Sequence, residues 1–444
     1  MIQQVLFVVV LSIVGFLAYR SYGHIYRAIK LGKPQDIGGD SGVRWKNVLL
    51  VAFGQKKMFK RILPAVLHLF IYVAFLFTQI ELIEIIIDGI FGQHRFFASA
   101  LGGLYTLIIN TIEFLSLGAL IATIIFLARR NLFKVPRLVM PEMKGWPSLD
   151  ANNILYAEIV LIIAIFTMNG ADGLLQNLNP EHYPNTGHLV LSSIVGNAFF
   201  SGLSESTLHM LERAGWWAHI MVVFGFLLYL PISKHLHILL AFPNVYFSKL
   251  KSRGEMNNMP EIMNEVKSMM GLVEETGGEM TDELPDFGVK DIFGLSWKNI
   301  LDSYTCTECG RCSSVCPANQ TGKKLSPRKI IMDVRDRTTE VAAAIKDKKY
   351  DATGYDDGKS LFDYISDEEL FACTTCNACV EACPVLINPL EPILELRRHR
   401  ILTDSAGPGD WTPMFTSLEN TGAVWQMPNE RIEWAKSLET EKKV

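Results

Sequence analysis

Residues 305–320, TCTECGRCSSVCPANQ, and residues 372–389, ACTTCNACVEACPVLINP, hold all eight cysteines of this 444-residue chain. Each carries one C-x2-C-x2-C-x3-C-P run. Three thiolates on a tight turn can reach three irons of a cubane, and the fourth cysteine, starting the next segment, points to the other cluster. The spacing therefore predicts two [4Fe–4S] clusters with crossed ligands. Cys306, Cys309, Cys312 and Cys383 are assigned to the first, and Cys373, Cys376, Cys379 and Cys316 to the second. Proline after each fourth cysteine, Pro317 and Pro384, keeps that segment from pairing back. Structural zinc is the competing metal and prefers four ligands as C-x-x-C pairs. Disulfides are the competing covalent use, but tight C-x-x-C triplets favour metal.

Between the runs, 326–344 and 361–370 read as helices, with Ser326 and Pro327 forming a start signal. Pro389 and Pro392 precede a further helix over 393–401. This much helix between the motifs is more than a compact two-hairpin ferredoxin holds, and points to the α-helical dicluster type. The expected domain thus runs over 301–402. Residues 243–300 read as a polar linker, helical near 259–273 and broken by Gly277, Gly278 and Pro285. Residues 403–444 form a tail with a charged helical end over 429–443. Its aromatic and methionine side chains, Trp411, Phe415, Trp425, Met427 and Trp434, suit partner docking.

The first 242 residues contain no cysteine and five apolar stretches long enough to cross a bilayer, near 2–19, 62–91, 103–128, 153–175 and 215–242. A shorter stretch, 188–203, reads as interfacial or re-entrant. The N-terminal stretch lacks a basic n-region and a cleavage site, so it reads as a retained membrane helix. The expected fold is all-α: a five-helix transmembrane bundle followed by a dicluster ferredoxin domain. Basic residues crowd the first connection (Arg20 to Arg61) and the third-to-fourth connection (Arg129 to Lys144), whereas Arg95 and Arg213 stand nearly alone in the other two. The positive-inside rule then puts the N-terminus outside and everything after the fifth crossing in the cytoplasm, where thiols stay reduced. A net charge of −4 gives no argument for nucleic-acid binding.

His68, His219, His235 and His237 lie in or beside the apolar stretches. His68 and His237 are expected at matching depth on the second and fifth helices, the arrangement of two axial ligands of a b-type haem. His219, five turns from His237, falls on the same helical face, and His235 falls near the opposite face, where it reads as interfacial. Pro231 could kink this helix and blur the phase. Glu81, Glu84 and Asp88 on the second helix and Glu113 on the third are candidates for proton transfer at a quinone site, or, for Glu84 and Asp88, for contact with outer water.

The segment WWAHIMVVFGFLLYLPISKHLHI (216–238) resembles the last helix of the nitrate reductase gamma-subunit type of cytochrome b. That resemblance implies haem ligands at His68, His219 and His237. The family's outer ligand on the second helix would fall near Thr78, so His219 lacks an evident partner; His94, His188 and His209 are candidates for one. A tentative second haem or a quinone site is thus left open at His219. From about Phe287 onward the chain resembles the iron–sulfur domain of heterodisulfide reductase-like oxidoreductases, on TCTECGRCSSVCPANQTGKKLSPRKIIMDVRD and ACTTCNACVEACPVLINP. Larger members continue into cysteine-rich CCG repeats, whereas no cysteine follows Cys383 here. The resemblance implies an electron-transfer subunit between a quinone pool and a separate cytoplasmic redox partner, such as a CCG-repeat protein. The competing classes are a haem-free membrane-anchored ferredoxin acting as a metal-reducing or assembly accessory, and a redox sensor or scaffold.

The basic loops generate a direct test of orientation. A reporter fused after Val444 is expected to be active only in its cytoplasmic form. Activity of an exported reporter at the same position would overturn the orientation.

Overall fold

The computed structural model describes residues 1–272, 287–425, 432, 435 and 436. Five helices are long and apolar enough to cross a membrane: Ile2–Ile29, Ile62–Phe91, Gly103–Leu132, Trp146–Leu178 and Glu205–Ile232, here spans 1 to 5. Among the described residues there is no β-strand, only an isolated parallel bridge between Lys33 and Ser296. The all-α expectation is therefore met. Backbone polar groups in a bilayer must be satisfied within the segment, which the helices do. Ile13, Phe16, Ile83, Ile121 and Ile163 point outward, while Ala74, Ala119, Ala122, Ala164 and Ala171 are buried between helices. Small residues let the backbones approach where no hydrophobic force drives helices together in lipid. Gly215 of span 5 shows the limit: a Cβ there would lie 2.8 Å from the Met168 amide nitrogen of span 4.

One expectation gains detail and two change. The stretch 188–203 forms a helix, Val190–Phe199, packed on spans 3 and 4. It meets span 4 where Gly196 faces Gly170, with room for no side chain. The fifth span begins and ends about ten residues earlier than hydropathy suggests. Ser204 accepts from the Thr207 amide and starts the helix there, so Arg213 lies inside the span and not in a connection. At the other end Pro231 falls in a 3₁₀ turn, Ser233 is extended, and a separate helix, His237–Tyr246, follows. His219 and His237 are thus on different helices, and the five-turn count between them does not hold.

The iron–sulfur half is built on the helix Pro327–Ala344, whose Ser326 caps the Lys329 amide as expected. The helix expected over 361–370 is two short pieces, Leu361–Asp363 and Asp367–Phe371. Ser360 with Asp363 and Ser366 with Glu369 form a separate capping box for each. The helix expected from 393 starts at Leu390, because Pro392 sits in its first turn, where no N–H is needed. Val289, Ile292 and Leu295, expected in the linker, are buried in the same core as Leu325, Ile330 and Leu361. The linker helix itself is Pro260–Met269. The expected break at Gly277, Gly278 and Pro285, the tail helix over 429–443, and Met427 and Trp434 lie outside the described residues.

This half docks on the two basic connections and on the exit from span 5. Arg61 donates to Ser314 Oγ (2.8 Å), Arg311 to the Lys57 and Met58 carbonyls, and Arg137 to the Cys309 carbonyl. Arg328, 1% exposed, pairs with Glu142 at 2.7 Å and donates to the Arg137 carbonyl at 2.6 Å. Asn244 donates to the Val385 carbonyl and accepts from Lys298 (both 3.0 Å). Burying a guanidinium is tolerable only while its carboxylate stays. Glu142→Ala is therefore expected to weaken the seam by about 3 kcal/mol, seen as faster proteolysis between the halves with iron content unchanged. Unchanged proteolysis would show that the pair is not part of the hold.

Candidate electron-transfer centres

The two cysteine loops are copies of one conformation. In the first, Glu308 and Gly310 have φ of 53° and 69°; in the second, Thr375 and Asn377, at the matching places, have 55° and 60°. The left-handed residue turns the chain so that its own N–H faces back on the first cysteine. The Glu308 amide donates to Cys306 Sγ and the Thr375 amide to Cys373 Sγ, each at 3.4 Å. The Ile387 amide similarly donates to Cys383 Sγ at 3.3 Å. Such N–H···S bonds stabilise thiolate charge and tune a cluster. Gly310 cannot carry a side chain, because a Cβ would lie 2.5 Å from Arg328 Nη1 and 2.8 Å from the Arg137 carbonyl.

Cys306, Cys309, Cys312 and Cys383 line one cavity with Arg311, Arg328 and Ile331. Cys316 belongs to the core against which Cys373 packs, and Cys373 and Cys379 lie within electrostatic reach of it. The cysteines are all free. Among the described residues no three His, Cys, Asp or Glu side chains are grouped to hold a single ion. Burial pushes the Cys306, Cys379 and Cys383 thiols up to about 12, so iron must displace their protons. Cys376 is the exposed member of the second set.

Glu308 stands between Cys306 and Cys309, 3% exposed. Burial would raise its carboxyl, but Lys234 and Arg335 hold it below the usual carboxylate range. Arg335 binds it at 2.7 Å, and Lys234 Nζ contacts its other oxygen. The Lys234 N–H donates to Asp150 of span 4 (3.1 Å), and its carbonyl accepts from His237 Nδ1 (3.1 Å).

The His68 and His237 rings are 6.5 Å apart, and the His235 ring is 5.5 Å from that of His237. His235 is therefore not on an opposite face: the break at Ser233 turns it into the same group, against Phe226. His68 Nδ1 donates to Gln55 Oε1 (3.2 Å). With both Nδ1 atoms donating to oxygen acceptors, the Nε2 atoms of His68 and His237 are left for a metal. Two imidazoles on one iron, each about 2 Å away, have ring centres about 6 Å apart. The residues fit a bis-histidine haem. Gln55 leads directly into the Lys57 and Met58 carbonyls held by Arg311, so one short loop touches both His68 and the first cysteine loop.

His219 is 3% exposed, and its Nδ1 has no partner. His94 instead bonds to Asp172 (2.9 Å), and the His209 ring stacks edge-on to Tyr183. Two of the three candidate partners of His219 are thus engaged with Asp172 and Tyr183. At the end of the bundle far from the cysteines, most acids have structural uses. Glu113 accepts from the Leu191 and Ser192 amides, capping Val190–Phe199. Asp88 and Glu84 accept from the amides of Arg95, Phe96 and Phe97, capping Phe96–Leu101, and Tyr105 donates to Glu84. Glu81 differs. Neither of its oxygens makes a well-formed hydrogen bond: Arg95 Nη1 is 3.8 Å away, and Asn169 is its other polar neighbour. Sequence reading missed Gln55, Lys234 and Asp172. The available signals were a lysine among the apolar residues 220–242 and an aspartate within the apolar stretch 153–175.

Residues 305–387 match the 4Fe-4S dicluster domain family. The chain is similar to a probable iron-sulfur-binding oxidoreductase FadF of Bacillus subtilis, 27% identical over 94% of this chain and 59% of the relative. It is also similar to an EtfAB:quinone oxidoreductase of Syntrophomonas wolfei, 27% identical over 51% of this chain and 32% of the relative. A third relative is a probable membrane-anchored ferredoxin of Chromohalobacter salexigens, 30% identical over 36% of this chain and 26% of that protein. The chain thus spans about three fifths of the length of the first and a third or less of the other two. No solved structure matches it significantly. The relatives and the dicluster match support iron–sulfur electron transfer in a chain with membrane-spanning helices.

The crossed assignment has a direct test. Iron and sulfide analysis of anaerobically purified protein is expected to give about eight irons per chain. Cys316→Ser should damage the cluster of Cys373, Cys376 and Cys379 more than the one beside it in sequence. Selective loss of the neighbouring cluster in EPR spectra would refute the crossing.

Proposed function

We propose that the chain is the membrane subunit of a quinone-linked oxidoreductase, passing electrons between a quinone pool and a cytoplasmic redox partner. The observation that carries this reading is the loop 55–61, which reaches His68 through Gln55 and the first cysteine loop through Arg311 and Ser314. In this reading the N-terminus is outside and the iron–sulfur half is in the cytoplasm. Cys306, Cys309, Cys312 and Cys383 hold one [4Fe–4S] cluster; Cys373, Cys376, Cys379 and Cys316 hold the other. His68 and His237 hold a b-type haem. When bound, these groups supply one-electron carriers.

The protein's own part is to orient and to insulate. Gln55 and the Lys234 carbonyl fix the ring orientation of the two histidines. Arg311 and Arg137 put positive charge beside Cys309, favouring the more negative state of a cluster there. Glu81, an acid of span 2 without a well-formed hydrogen bond, is the residue assigned to accept or release a proton at a quinone site; Glu84 and Glu113 are assigned to shape it. His219 is assigned to the same end, as a quinone contact, not as half of a second haem pair. The name of the Syntrophomonas relative supports quinone as the membrane substrate. The partner is assigned to the side of the second cluster, where Cys376 is exposed and the exposed Phe415 reaches Phe371 through Trp411.

Purified protein is expected to show low-spin b-type absorbance. His68→Ala and His237→Ala should each abolish it, and His235→Ala should leave it. Absence of the signal from the unmodified protein would move the membrane-anchored ferredoxin reading to first place. Persistence of the signal in both single variants would put the ligands elsewhere.

A further inference from the structure

A cavity of about 390 Å³ lies where span 1, the end of span 5 and the iron–sulfur half meet. Its chemistry is split. Leu17, Leu228 and Ile232 form an apolar wall, and Ile232 is 63% exposed, so this wall opens toward lipid. Arg20 and Lys346 form a cationic rim from opposite halves of the molecule: Arg20 from span 1 and Lys346 from the turn after the helix Pro327–Ala344. No carboxylate lines the cavity. Among the described residues neither Arg20 nor Lys346 has a carboxylate partner, whereas Arg335, also in the lining, is paired with Glu308 and Asp336.

Most neutral polar groups of the lining are already spent. His24 Nδ1 bonds to Tyr350, Ser233 Oγ donates to Asp150, and the Tyr304 hydroxyl bonds to Thr339, leaving the Ser21 hydroxyl and one His24 ring nitrogen. A quinone head would use these two neutral groups and leave the cationic rim unpaired. What distinguishes the cavity is positive charge next to an apolar wall at the level where the bundle ends. That is the complement of a phosphodiester joined to acyl chains. We propose that the cavity binds one anionic phospholipid, its phosphate between Arg20 and Lys346 and an acyl chain along Leu17, Leu228 and Ile232. The lipid then bridges span 1 to the iron–sulfur half. This site does not depend on the haem or quinone assignments.

The test uses the full chain in nanodiscs of phosphatidylcholine alone or with phosphatidylglycerol, read by hydrogen exchange of residues 340–350 and by native mass spectrometry of retained lipid. Phosphatidylglycerol should slow exchange several-fold and be retained at one molecule per chain above the phosphatidylcholine background. The double variant Arg20→Gln, Lys346→Gln should lose phosphatidylglycerol affinity by about tenfold or more with iron content unchanged, and Arg20→Lys, Lys346→Arg should keep it. Equal protection in both lipid compositions overturns the site. Protection by inorganic phosphate in pure phosphatidylcholine discs overturns the lipid as its source, and protection by added menaquinone there makes it a quinone pocket instead.

Discussion

The buried Glu308 carboxylate, clasped by Lys234 and Arg335, is the joint on which the two halves turn. A buried ion pair gains little over apolar packing, yet losing one partner strands the other in a poor solvent. The arrangement therefore acts as a constraint more than as a source of stability. It fixes three things at once. The Glu308 amide is directed at Cys306, the Lys234 amide is tied to Asp150 of span 4, and the Lys234 carbonyl sets the His237 ring. No single helix could hold the cysteine loop, the bundle and the histidine in register. One residue on either side of the joint does so through its backbone.

The basic connections have a use that the structure displays directly. Arg61, Arg137 and Arg311 converge on the Cys309 side of the first loop. A cluster with four thiolates is negative overall, and guanidinium groups held in place by backbone carbonyls balance it without needing buried carboxylates. Two arginines of the basic connections, Arg61 and Arg137, thus also seat the iron–sulfur half.

What could be read in advance was what depends on neighbours in sequence. Ligand spacing is local, so both cysteine runs were plain. Apolar length is local, so span 2 was placed to the residue and the others existed as expected. The misplacement of span 5 came from chemistry that hydropathy ignores: the Ser204 cap and the stop at Pro231. Carrying helical phase through that proline put His235 on the wrong face. The acids show the same limit. Composition marks Glu84, Asp88 and Glu113 as costly in a membrane, but their partners are the amides of short helices elsewhere in the chain. Gln55 gave no signal, being one polar residue in a polar loop; only the fold brings it to His68.

The two cysteine loops share one backbone but not one neighbourhood. Where the second has Asn377, the first has Gly310, shaved of its side chain so that Arg328 and the Arg137 carbonyl can close over it. That closure has a bearing on oxidation. Cys306 and Cys383 are buried among Ile331, Val385 and Ile387, and Arg137 closes on the Cys309 carbonyl beside them, so no thiol of the first set is exposed. The second loop keeps Cys376 at the surface. An oxidant arriving from water therefore meets the second set first, at that one thiol.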